Sequence, residues 1–368
     1  MNPSGCKTLS ASLLSSFLSL ALTATAAHAV TIDWVTVGDP GNANDTTGYG
    51  AVADSYRIGK YEVTIGQYTD FLNAVAATDP YSLYNESMAT ALNIAGISRT
   101  GASGSYTYSV IGPSGSTPAG ASSPGNRPIT YVSWFDAARF ANWMHNGQLT
   151  GAAGAASTET GAYTLGGATS GNAVAKNAAT QFYIPTEDQW YKAAYYKGSG
   201  TNAGYWTYAT RSDTVPGNVI GSLPNQVNYT YFDGTDVFPS VTQVANFETN
   251  QNYLTDVGAF TNSASAYGTF DQSGNVNEWN DLGGSTGSSR GVRGGSFSEY
   301  FGFVVSSSNR GSVDPTDEIA VTGFRLASPA SGPSGVPEID PAGLGSVLAL
   351  VTGALGLFER RRMKAKVA

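Results

Sequence analysis

The chain predicts an α+β domain of low regular secondary structure, in which few elements are joined by long loops. Two observations lead there. Three helices with clear start signals stand far apart, with short strand candidates before, between and after them. Glycine makes up 45 of 368 residues, about 12% against a usual ~7%, and much of it sits in polar stretches that read as surface loops.

In chain order, Thr31 to Val37 and Tyr56 to Tyr61 are strand candidates. Thr64-Ile65-Gly66-Gln67 is a capping box, and Tyr68, Phe71, Leu72 and Val75 follow at the spacing of one helix face. Ser133-Trp134-Phe135-Asp136 opens a second helix with Ala137, Phe140, Ala141 and Met144 on one side. Phe182 to Ile184 is a further strand candidate. After Pro185, Thr186-Glu187-Asp188-Gln189 opens a third helix carrying Trp190, Ala193, Ala194 and Lys197 in line. Gly291 to Gly294 is the last strand candidate. The stretches Gly101 to Gly125, Gly147 to Ala179 and Gly283 to Gly291 are the expected loops, and no repeat of fixed period is visible.

The two ends differ in kind from the middle. Lys7, the apolar run Leu13 to Leu22 and Ala27-His28-Ala29 before Val30 read as a signal peptide over residues 1–29, the substrate of a signal peptidase. The domain is expected over 30–330. A linker, 331–341, carries Val336-Pro337-Glu338-Ile339-Asp340-Pro341. Residues 342–358 are apolar and just long enough for a transmembrane helix, and the basic residues of 359–368 (Arg360, Arg361, Arg362, Lys364, Lys366) would hold that end in the cytoplasm. This tail resembles the PEP-CTERM sorting signal, which implies cleavage by an exosortase-type enzyme and delivery to the cell envelope or extracellular matrix. A permanent anchor is the alternative. Cleaved at both ends, Val30 to Val336 remains, with a formal charge of about −11. So acidic a body, lacking any Lys/Arg cluster, excludes nucleic acid as the expected partner. An envelope or matrix polysaccharide or protein is the expected ligand class.

Six motifs occur in order between Tyr56 and Leu326. They are Tyr56-Arg57-Ile58-Gly59-Lys60-Tyr61-Glu62-Val63-Thr64, Arg127-Pro128-Ile129-Thr130-Tyr131-Val132-Ser133-Trp134 and Tyr183-Ile184-Pro185-Thr186-Glu187-Asp188-Gln189-Trp190, followed by Gly274-Asn275-Val276-Asn277-Glu278-Trp279, Arg293-Gly294-Gly295-Ser296-Phe297 and Gly323-Phe324-Arg325-Leu326. Together they resemble the sulfatase-modifying-factor family, whose founding members, the formylglycine-generating enzymes, oxidise a sulfatase cysteine with a cysteine pair and copper. The resemblance implies a variant of the C-type-lectin-like fold with structural calcium. It also implies where the thiols would fall, and those positions hold Glu299 and Val304. The chain's one cysteine, Cys6, lies in the signal peptide, so copper, which selects soft sulfur ligands, is not expected.

The family's calcium would map onto the Ser273 carbonyl, Asn275 and Glu278, with a looser second set at Asn246 and the Phe247 carbonyl. The residues alone read equally as a tight turn with Asn275 in the left-handed region and Trp279 in the core. Asp271 starts a series of alternating oxygen-bearing residues, but Leu282 at the twelfth position excludes an EF-hand. His145 is the mature chain's one histidine and is expected to act as a helix C-terminal cation. Gly283-Gly284-Ser285-Thr286-Gly287 matches a nucleophile elbow but lacks the strand and helix that elbow requires. The expected function is a non-catalytic, exported binding or structural module. The alternative is an oxidoreductase or protein-modifying enzyme of that family with a cysteine-independent mechanism, acting through Glu299 and nearby tyrosines.

Overall fold

The computed structural model describes residues 29–112, 123–281 and 289–330. The signal peptide up to its last residue, the Pro-Glu linker, the expected transmembrane helix, the basic tail and the Gly283–Gly287 match all lie outside the described residues. Among the described residues no helix is long and apolar enough to cross a membrane.

The regular elements are short. They run β1 (Trp34–Val37), β2 (Tyr56–Gly59), α1 (Ile65–Val75), α2 (Ser87–Thr90), β3 (Ile97–Thr100), β4 (Thr107–Val110), α3 (Trp134–His145), α4 (Glu187–Tyr195), β5 (Thr230–Phe232), β6 (Val237–Pro239), β7 (Asn277–Asn280), β8 (Arg290–Arg293), β9 (Gly311–Val313), β10 (Thr322–Gly323) and β11 (Ala327–Pro329). β2 takes β1 on one side and β11 on the other, both antiparallel, so the beginning and end of the domain are tied in one sheet. A four-stranded sheet runs β10-β7-β8-β9, and β3–β4 and β5–β6 are separate hairpins.

All three expected helices form where their caps place them. Thr64 Oγ1 accepts from Gln67 N at 3.2 Å while Gln67 Oε1 accepts from Thr64 N at 2.9 Å, and Ser133/Asp136 and Thr186/Gln189 repeat the device. Tyr68, Phe71, Leu72 and Val75 are fully buried. Phe71 meets Phe140 of α3 at 5.4 Å between ring centroids, and Phe140 meets Phe324 at 5.4 Å. The core thus joins α1 and α3 to the Gly323-Phe324-Arg325-Leu326 motif.

Several expectations require correction. The strand expected from Phe182 to Ile184 reduces to one bridge between Tyr183 and Ala327, because Pro185 and the Thr186 cap turn the chain at once into α4. The last strand ends at Arg293, since Gly294 has φ of 102° and leaves the extended region. Lys197 is not on α4. The helix stops at Tyr195, Tyr196 is extended, and the Lys197 ammonium sits 4.2 Å over the Trp206 ring. His145 ends α3 but not as a cation: its Nδ1 accepts from Gln181 N at 3.1 Å, and burial lowers its pKa. Two of the expected surface loops contain packed structure. Gly101 to Gly125 includes β4, and within Gly147 to Ala179 the buried Glu159 pairs with Arg139 of α3 at 2.8 Å. Glycine marked where these segments turn, and their scattered aromatic and acidic residues pack inward.

Candidate functional site

Glu299 and Val304, where the resemblance would put a cysteine pair, lie on an arch that leaves the β-sheet after Arg293. Gly294 and Gly295 both have positive φ, and a Cβ on Gly295 would come within 2.9 Å of the Val304 carbonyl oxygen, so the two feet of the arch touch there. Phe297 is buried and its N–H donates to the Asn275 carbonyl at 2.9 Å, while its own carbonyl accepts from Thr230 Oγ1. Val305 is buried at the other foot. Between these anchors the chain rises into solvent. Tyr300 is 46% exposed, Phe301 48% and Phe303 64%, values that few aromatic side chains in a packed domain retain.

Phe301 and Phe303 stack at 5.6 Å, and Phe301 meets Phe232 edge-on at 5.7 Å. Tyr300 approaches Phe247, which packs on the buried Tyr253. A Cβ on Gly302 would lie 2.2 Å from Val215 Cγ1, so the tip rests on that side chain. Glu299 is half-buried at the arch's shoulder. Its backbone carbonyl accepts from Thr230 N at 2.9 Å, while its carboxylate accepts no hydrogen bond among the described residues, and burial raises its pKa. Val304 offers only a methyl surface. This arrangement can present rings and one unpaired carboxylate; it has no soft-metal donor.

Beneath the arch lies a buried acidic cluster. Glu278 and Arg325 are both fully buried and form a two-pronged ion pair, with Nε to Oε2 at 2.5 Å and Nη2 to Oε1 at 2.6 Å. Trp190 Nε1 donates to Glu278 Oε2 at 2.9 Å, and Arg325 reaches on to the carbonyls of Gly59 and Phe270. Asn275, at φ of 62°, accepts with Oδ1 from Asn228 Nδ2 at 3.0 Å and from Thr255. Ser273 Oγ donates to the Val305 carbonyl at 2.8 Å and accepts from Ala209 N. Gly274 is held by the same packing, since a Cβ there would strike the Asn228 carbonyl at 2.4 Å.

The structure places Ser273 and Asn275 on the turn that leads into β7 and Glu278 on β7 itself; their side-chain oxygens are hydrogen-bonded or ion-paired within the protein, while the Ser273 carbonyl, the expected ligand, accepts no hydrogen bond among the described residues. Asn246 and Phe247 lie apart, on an exposed loop where Asn246 N donates to the Val237 carbonyl. Two further carboxylates complete the cluster: Glu62, which no motif marks as a ligand, and Asp271, which opens the series excluded as an EF-hand. Glu62 accepts from Asn275 Nδ2 at 3.3 Å with Oε1 and leaves Oε2 unpartnered, beside a cavity of about 180 Å³ bounded by Asp33, Tyr61, Thr64 and Gln67. Asp271, at φ of 63°, accepts from Gly258 N at 2.6 Å. Burial is the main cause that raises both, Glu62 well above the carboxylate range and Asp271 to about 6, with neighbouring carboxylate charge adding to it. Three carboxyl groups face one guanidinium, so Glu62 and Asp271 join the Ser273 carbonyl as oxygens open to a hard cation. No group of three or more acidic, histidine or cysteine side chains is arranged for metal among the described residues.

Known proteins match this chain at the level of family. The model of the sulfatase-modifying factor enzyme 1-like domain matches residues 37–330. Among solved structures, CarF aligns at 21% identity over 82% of this chain and 99% of its own, with a TM-score of 0.46. Treponema denticola variable protein 1 aligns at 19% identity over 82% and 97%, with a TM-score of 0.46. PvdO from Pseudomonas aeruginosa aligns at 15% identity over 81% and 92%, with a TM-score of 0.38. No curated protein matches the sequence significantly.

Proposed function

The chain belongs to the sulfatase-modifying-factor family, and from that premise we propose that it is an exported binding module of the cell envelope or matrix, without thiol chemistry. The observation that carries the reading is the arch. Where the family's thiols would fall stand Glu299 and Val304, and the residues between them present Tyr300, Phe301 and Phe303 to solvent. A ring exposed on a rigid base gives contact area at low entropic cost, which is what a ligand surface requires.

Export and sorting are part of the same proposal and rest on the N-terminal signal pattern and the Pro337-Glu338 tail. The released protein would run from near Val30 to near Pro337. Intact mass of the native protein tests this, and a mass that includes residues 342–368 would replace sorting with a permanent anchor.

The second reading, a cysteine-independent enzyme, draws on one observation: the unpaired Glu299 carboxylate with its raised pKa, a property that active-site acids share. Against it, the cavity of about 590 Å³ bounded by Asp54, Lys176, Tyr183 and Gln189 lies on other segments, away from Glu299. The test of the module reading is incubation with copper, oxygen, reductant and a sulfatase-motif peptide, followed by mass spectrometry. No aldehyde is expected. Aldehyde formed at catalytic turnover would reverse the proposal.

A further inference from the structure

The exposed apolar surface of this domain is concentrated. Of the eleven large hydrophobic side chains that stand exposed among the described residues, nine come from two stretches, 215–247 and 300–303. These stretches touch one another: Phe232 against Phe301, Phe247 against Tyr300, Val215 beneath Gly302. The arch tip thus carries a contiguous patch in which Tyr300, Phe301 and Phe303 stand uncovered against Phe232, Phe247 and Val215.

The charge of the same stretches is one-sided. From Ser212 to Ser289 the sequence contains no lysine or arginine, and from Gly294 to Asn309 there is again none. In sequence, Asp233 and Asp236 fall within the first exposed stretch, Asp213 and Glu248 flank it, and Glu299 directly precedes the second. At the border, Lys197 lies 4.0 Å from Asp213, and Arg310 is engaged by Glu187 at 2.7 Å. The nearest unengaged cation in sequence is Arg211. Glu299 is the one acid set against the arch itself, half-buried and unpaired.

We infer that this aromatic face docks a lysine- or arginine-bearing polypeptide segment, with the rings of Phe301 and Phe303 against its cationic side chains and Glu299 as their counter-charge. The inference rests on the binding-module reading and names its ligand class. The argument is one of complementarity. A cation over a ring face is attracted by the ring's quadrupole, and a carboxylate at the ring's edge adds to the same attraction. An anionic ligand would meet only carboxylates, and a neutral glycan would leave the Glu299 charge half-buried and without a partner. With no Lys or Arg between Gly294 and Asn309, Glu299 has no cation of its own segment to compete for it.

The probe is a labelled oligo-arginine peptide, with an oligo-glutamate peptide and a neutral glucan beside it, titrated against the mature protein at physiological salt. Oligo-arginine alone is expected to bind. Phe301→Ala with Phe303→Ala should weaken it about tenfold, and Glu299→Gln about threefold. Asp54→Asn removes one charge on another face and should change nothing. Equal weakening by Asp54→Asn and Glu299→Gln, or no loss with the ring variant, would reduce the effect to attraction by net charge and overturn the inference. So would failure of oligo-arginine to bind. Glucan binding that the ring variant abolishes would overturn it while leaving the binding module intact, whereas aldehyde formation in the preceding assay would remove the module itself.

Discussion

The buried cluster around Arg325 and the arch above it are neighbours with opposite economies of contact. In the cluster, nearly every polar atom is engaged: Glu278 by Arg325 and Trp190, Asn275 by Asn228 and Thr255, Ser273 by Val305 and Ala209. In the arch, Phe297 and Val305 are fixed and the residues between them leave their rings uncovered. The comparison teaches that the Asn275–Glu278 and Arg325 motifs hold the scaffold together, while the segment from Glu299 to Val304 leaves its rings open to a ligand.

The sharpest way to break this comparison is to exchange the expected costs. Arg325→Ala strands a buried Glu278 carboxylate and should cost about 3–5 kcal/mol of unfolding free energy, enough to unfold many domains. Phe301→Ala at the exposed tip should stay within about 0.5 kcal/mol. Urea denaturation of both variants checks the contrast. If Phe301→Ala destabilises as much as Arg325→Ala, the tip is part of the core and not a ligand surface.

A second effect concerns pH and is spread over several pH units. Asp136, the carboxyl of the α3 capping box, is raised to about 7 by burial and then by the charge of Glu318. Asp281 is raised to about 7, again chiefly by burial. A carboxyl whose folded pKa exceeds its unfolded value binds its proton more tightly when folded. Its contribution is complete below about pH 4 and is lost as pH rises through the folded value, at about 1.4 kcal/mol per pH unit for each group over that interval. The melting temperature is therefore expected to fall from pH 5 to pH 8, and Asp136→Asn should flatten the fall while weakening the cap. The arch has little part in this, so Glu299→Gln should leave the slope nearly unchanged. A melting temperature that rises over that range would contradict the burial of these groups as uncharged acids.

Much of the scaffold was legible because its signals are local. Thr64 with Gln67, Ser133 with Asp136 and Thr186 with Gln189 announce three helices within four residues each, and the helices form there. What was not legible depends on distant partners. The β3–β4 hairpin lies where serine and glycine suggest a loop, because Asn73 of α1 pairs with the Tyr108 backbone from 35 residues away. Glu159 reads as a surface acid and is buried because Arg139 meets it from α3. Of the site, the turn carrying Ser273, Asn275 and Glu278 was visible in sequence. Glu62 carried no signal of its own and Asp271 only that of an excluded EF-hand, since only the fold brings residues so far apart against Arg325. The aromatic tip had a signal, three rings and a glycine in four residues of an otherwise polar stretch, and only the structure separates the exposed Phe301 and Phe303 from the buried Phe297.

The smallest expected effect is that of calcium, and it tests whether the cluster is as self-contained as the contrast with the arch makes it. Glu62, Asp271 and Glu278 oppose a single guanidinium, so the cluster carries more negative than positive charge whenever its acids ionise. A hard cation held by Asp271, Glu62 and nearby backbone carbonyls would relieve that excess, and by mass action it would stabilise the fold by about 2.7 kcal/mol at a hundredfold excess over its dissociation constant. Millimolar calcium is then expected to raise the melting temperature above that in chelator. Asp271→Asn should abolish the difference and Ser273→Ala should preserve it, because the Ser273 hydroxyl already donates to Val305 and accepts from Ala209. Identical melting in chelator and calcium would mean that protons alone balance the cluster. A calcium effect lost with Glu278→Gln but kept with Asp271→Asn would move the ion to the Ser273 carbonyl, Asn275 and Glu278 and require Arg325 to yield Glu278.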